Sequence, residues 1–77
     1  MLSFEILPTP PGAMPEELEI HLDNEGLQSL LTQLKFLEQD RTDHVHLMSE
    51  SWGGSDLDDE PQNSKGMSIR HVKILLR

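Results

Sequence analysis

Seventy-seven residues make one small domain, with a thin core and no room for separate cofactor and substrate domains. Fourteen acidic residues against six basic ones leave a net charge of −8 with histidine neutral. That balance argues against nucleic-acid binding and against docking on an anionic membrane, because both need Lys and Arg to meet phosphate. The chain has no cysteine, so disulfides, thiolate catalysis and Cys-ligated zinc are excluded, and a reducing cytoplasm is the expected setting. No apolar run approaches the ~18 residues of a membrane span. Met1–Glu5 carries an early acid and no basic region, unlike a signal peptide.

Taken in chain order, Leu2–Leu7 alternates Leu2, Phe4 and Ile6 with Ser3 and Glu5, which predicts a half-buried strand. Residues 8–16 hold four prolines and cannot continue it, since proline lacks the ladder donor and fixes φ. Glu17–Asp23 alternates again, with Leu18, Ile20 and Leu22 against Glu19 and His21, and predicts strand two. A helix follows. Asn24 is the expected N-cap, and Glu25 suits the positive end of the dipole. Leu27, Leu30, Leu31, Leu34 and Leu37 form one apolar stripe, with Phe36 off it, and the helix is expected to end near Gln39 or Asp40. Asp43–Met48 predicts strand three. Residues 49–66 have no period and predict a long acidic loop. Met67–Arg77 predicts strand four, with Ser68, Arg70, Val72, Ile74 and Leu76 on one side and Ile69, His71, Lys73 and Leu75 on the other.

The expected architecture is α+β in the order β-β-α-β-β, a single domain over residues 1–77. One helix packs on one face of a four-stranded, mostly antiparallel sheet. Strands two and three are expected to run parallel, because a helix crosses between them. Strand orders 1-2-4-3 and 1-2-3-4 both remain open. The expected helix-facing set is Leu18, Ile20, Leu22, Val45, Leu47, Val72, Ile74 and Leu76. The other face then carries Glu19, His21, His44, His46, His71 and Lys73, so all four histidines share it.

That face has three readings: a solvated polar surface, a partner surface, or a metal site. His44 and His46 are two apart on a strand and point the same way. His21 or His71 would complete a three-histidine set if its strand is adjacent. The acidic loop has Glu50, Asp56, Asp58, Asp59 and Glu60 within eleven residues, and Lys65 is its single basic residue. It reads as a solvated mobile loop, or as an anionic surface that steers a basic partner. Its spacing does not match an EF-hand. Trp52 either folds back to cap the edge of the core or anchors a partner. Gly53 and Gly54 allow a positive φ or a close backbone approach. No nucleophile–base arrangement and no phosphate-cradling loop is present, so neither an enzyme nor a cofactor is expected.

The run Asp43-His44-Val45-His46-Leu47-Met48-Ser49-Glu50-Ser51-Trp52-Gly53-Gly54, followed by acids around Leu57, resembles a small family of immunity proteins from bacterial polymorphic toxin systems. The helix opening Glu25-Gly26-Leu27 and the C-terminal Val72–Leu76 strand fit the same pattern, which covers roughly Leu18 to the C-terminus. The resemblance implies that the chain binds and neutralises a cognate toxin domain. Many such toxins are nucleases with basic clefts, which an acidic inhibitor suits. The implied contact surface is the Glu50–Glu60 loop, with Trp52 as anchor and His44 and His46 beside it. Two other functions stay open: a metal-binding protein using the histidine face, and a homodimer formed through the open sheet face or a free strand edge.

Overall fold

The computed structural model describes residues 1–39 and 42–77. These form β1 (Leu2–Ile6), β2 (Leu18–Leu22), α1 (Asn24–Glu38), β3 (His44–Met48), a 3-10 turn (Glu50–Trp52), β4 (Met67–Ser68) and β5 (His71–Leu75). The prolines end β1 where expected. The helix is capped by Asp23, not Asn24. Asp23 is extended, and its Oδ1 accepts the Gly26 N–H at 2.8 Å, three residues on, as an N-cap carboxylate must. At the other end Gln39 is the C-cap; the alternative end at Asp40 lies outside the described residues.

The strands do not form the expected single four-stranded sheet. β2-β1-β4 make one sheet and β3-β5 another, with every strand pairing antiparallel. The expected fourth strand breaks at Ile69–Arg70, and this divides the sheet. Before the break, Met67 and Ser68 pair with Ile6 and Glu5, and the Ile69 N–H donates to the Phe4 carbonyl at 2.8 Å. After it, the Ser49 N–H donates to the Arg70 carbonyl at 3.0 Å, and His71–Leu75 pair with β3. The break also resets the alternation, so Ile69 packs against the core instead of sharing a side with His71. β1 lies between β2 and β4, which rules out both expected orders. Strands two and three belong to different sheets and are not a parallel pair.

The core sits where the two sheets meet. Leu2 and Phe4 from β1, Leu47 from β3 and Leu57 from the acidic loop are buried together, with Leu30, Ile69, Val72 and Ile74 packed against them. Each such side chain contributes about 1.5–3 kcal/mol on burial. Of the expected helix-facing set, Val45 and Leu47 are buried and Val72 and Ile74 pack against the core. The rest of that set is exposed instead: Leu18 (54%), Ile20 (47%), Leu22 (36%) and Leu76 (54%). β2 is the outer strand, and α1 lies closer to β3 than to it. In consequence the helix buries Leu37 and half of Leu30 but leaves Leu27, Leu31 and Leu34 more than a third exposed.

Candidate functional site

The stretch read as a long acidic loop is built on the end of β3. Met48 and Ser49 act as its template. The Met48 carbonyl accepts from the Asp56 and Leu57 N–H groups, the Ser49 carbonyl accepts from Trp52 and Gly54, and Ser49 bridges Leu57 in parallel. Burial of Leu57 holds this folded-back segment to the core, and the Asp58 N–H donates to the Leu2 carbonyl at 2.8 Å. Gly53 takes φ +86°, the left-handed conformation that closes the 3-10 turn. Gly54 is needed for a different reason: a Cβ there would stand 2.5 Å from the Met48 carbonyl oxygen.

The acids divide by role. Asp56 accepts the Met48 N–H at 3.2 Å, and Asp59 accepts the Ser51 hydroxyl at 2.7 Å and its N–H at 3.3 Å. Hydrogen bonding from Ser49 and Ser51 outweighs desolvation and holds the Asp59 carboxyl below its ordinary range, helped by the Arg70 charge. Glu50, Asp58, Asp59 and Glu60 nevertheless border one open depression of about 420 Å³, which Leu57 also lines. Trp52 stands on the adjoining turn and is 58% exposed, so it does not cap the core.

Three of the four histidines gather beside it. His46 Nδ1 and His71 Nε2 are 2.7 Å apart with their rings stacked, and His44 meets His46 edge-on at 5.0 Å. The Trp52 ring lies 5.7 Å from His71. One of His46 and His71 must donate and the other accept, so at least one is neutral. Burial, then the charges of His44, His71 and Lys73, push His46 below the ordinary histidine value. The Asp43 carboxylate, 2.6 Å from His44 Nδ1, fixes that ring. His21 is not part of this group. It lies in the other sheet, with Nε2 3.0 Å from Glu19 and 3.9 Å from Glu5.

Glu5 is the residue that sequence reasoning passed over. Read as an outward polar position of strand one, it is fully buried. Its carboxylate accepts from the Ser3 hydroxyl (2.6 Å) and from the Gln62 and Asn63 N–H groups (2.8 and 3.0 Å). Burial pushes this carboxyl up, but those bonds and the His21 charge together hold it below its ordinary value. The one available signal was the shared face of Ser3, Glu5, Glu19 and His21.

A family model described as Immunity protein 32 matches residues 17–71, which take in β2, the helix, β3, the acidic loop and the start of β5. The chain belongs to the Immunity protein 32 family. Neither the curated proteins nor the solved structures gave a match. Membership places it among immunity proteins, whose general role is toxin neutralisation. The part matched by the Immunity protein 32 model includes Trp52, the acidic depression and all four histidines. Among the described residues no helix is long and apolar enough to cross a membrane.

Proposed function

We propose that this chain binds and neutralises a cognate bacterial toxin domain in the cytoplasm, using the acidic depression with Trp52 and the adjoining histidines as the contact surface. The observation that carries this reading is the depression itself. Four acidic residues, Glu50, Asp58, Asp59 and Glu60, line one concave patch of about 420 Å³, a setting that suits a Lys or Arg side chain from a basic partner. Trp52 stands beside it, exposed and held on a hydrogen-bonded turn, so it reaches a partner without first being ordered. A toxin with a basic substrate cleft, such as a nuclease, fits that chemistry. Charge sets the association rate and Trp52 much of the affinity. Asp56 and Asp59 contribute chiefly by shaping the loop. The test is co-expression with the toxin domain encoded beside this gene. Growth rescue with a stable one-to-one complex is expected, and toxicity without a complex opposes the proposal.

A second reading has one observation in its favour. Leu18, Ile20 and Leu22 on the outer strand, and Leu27, Leu31 and Leu34 on the helix, are all exposed. A second copy of the chain would cover them, and light scattering of the purified protein distinguishes monomer from dimer.

A further inference from the structure

We propose that Glu5, Glu19 and His21 form a binding site for a divalent transition-metal cation of the zinc class. The β1–β2 register sets Glu5 directly opposite Glu19, with His21 two residues along on the same face. One ligand atom from each of the three lies within 4.8 Å of the others, and this is the one such group among the described residues. His21 Nε2 is 3.0 Å from Glu19 Oε1 and 3.9 Å from Glu5 Oε1. Metal–nitrogen and metal–oxygen bonds of about 2.0–2.2 Å place neighbouring ligands about 3–4 Å apart. The three groups are therefore spaced as ligands of one ion.

Charge points the same way. Buried carboxylates are normally paired with a cation or bound to a metal. Glu5 is shielded from water, and its nearest cationic group among the described residues is His21, at a long 3.9 Å. The surrounding bonds are those of an orienting shell. Ser3, Gln62 and Asn63 fix the Glu5 carboxylate, and Asn63 Nδ2 donates to Glu19 Oε1 at 3.0 Å. Glu19 and His21 are half-buried, so the ion enters from their side. The imidazole selects a transition metal over calcium or magnesium. His46 and His71 make a poorer site. Lys73, a cation, is the register partner of His46, and the pair has no carboxylate completing a three-ligand group among the described residues.

The experiment is calorimetric titration of the metal-free full chain with zinc chloride. One zinc per chain is expected. Glu19→Gln and His21→Asn should each weaken binding at least about tenfold, while a His46→Asn/His71→Asn double variant should bind as wild type does. Far-UV circular dichroism checks each fold. Glu19→Gln, nearly isosteric, decides the matter where His21→Asn does not fold. Absence of zinc binding to the wild type overturns the proposal. So does binding that survives Glu19→Gln and is lost in the His46/His71 variant.

Discussion

Asp59 grips Ser51 twice, through the hydroxyl at 2.7 Å and the backbone N–H at 3.3 Å, and so fixes the turn that carries Trp52. The acid at this position shapes the surface that the neighbouring acids present. Because hydrogen bonding holds the Asp59 carboxyl below its ordinary value of 3.8, its stabilising effect is complete above that value and is lost as pH falls through the folded value. Trp52 fluorescence is expected to stay constant down to about pH 4 and then to shift as the turn opens. Asp59→Ala should show the acid spectrum already at pH 7. A variant with the wild-type spectrum would contradict this role.

The histidine pair gives a second and higher pH window. Burial and neighbouring charge hold His46 below its ordinary 6.5, so the unfolded chain binds this proton more readily than the folded one. Stability should therefore fall as pH drops below about 6.5, well above the carboxylate window. His46→Gln should remove that slope in thermal melts. An unchanged slope would place its origin elsewhere.

Leu57 joins the acidic loop to the core at 4% exposure. Leu57→Ala should cost about 2–5 kcal/mol, as truncation of a buried leucine does. Urea denaturation measures it, and hydrogen exchange should show residues 54–60 losing protection first. A cost near zero would mean that the loop is held by its backbone bonds alone.

Gly53 and Gly54 should respond differently to the same substitution. Gly53 has open space but φ +86°, so Gly53→Ala should cost about 1 kcal/mol through backbone strain. In Gly54→Ala the methyl would meet backbone, with the Met48 carbonyl oxygen at 2.5 Å. That change should lower the melting temperature further than Gly53→Ala. Equal shifts would show that Met48 can give way.

Much of this was legible in residue order. Alternation in His44–Met48 reports burial on one face, and the leucine spacing reports the helix, because both patterns are local; in Leu2–Ile6 alternation located the strand, but Ser3 and Glu5 on its polar side are buried too. The grouping of His44, His46 and His71 on the β3–β5 sheet was readable, but the placing of His21 with them was not, because β2 joins the other sheet. The break at Ile69–Arg70 was not. Residues 67–77 alternate without a Gly or Pro, and only the competing pairings with Phe4 and Ser49 divide them. The exposure of Leu18 and Ile20 was hidden for the same reason, since it depends on β2 being the outer strand. Glu5 escaped because its amide partners lie 57 and 58 residues away. The order in residues 49–66 escaped because backbone bonds to Met48 and Ser49 leave no period in the side chains.

The central claim is that Trp52 and the acidic depression contact the toxin, and a binding measurement with the toxin domain tests it directly. Trp52→Ala and a Glu50→Lys/Glu60→Lys variant would be compared with wild type by association and dissociation kinetics. Trp52→Ala is expected to weaken binding by at least about 2 kcal/mol, roughly thirtyfold, mainly through faster dissociation. The charge reversal should slow association about tenfold or more at low salt and much less at high salt. Two variants that both bind with wild-type rates would contradict the account and move the interface elsewhere.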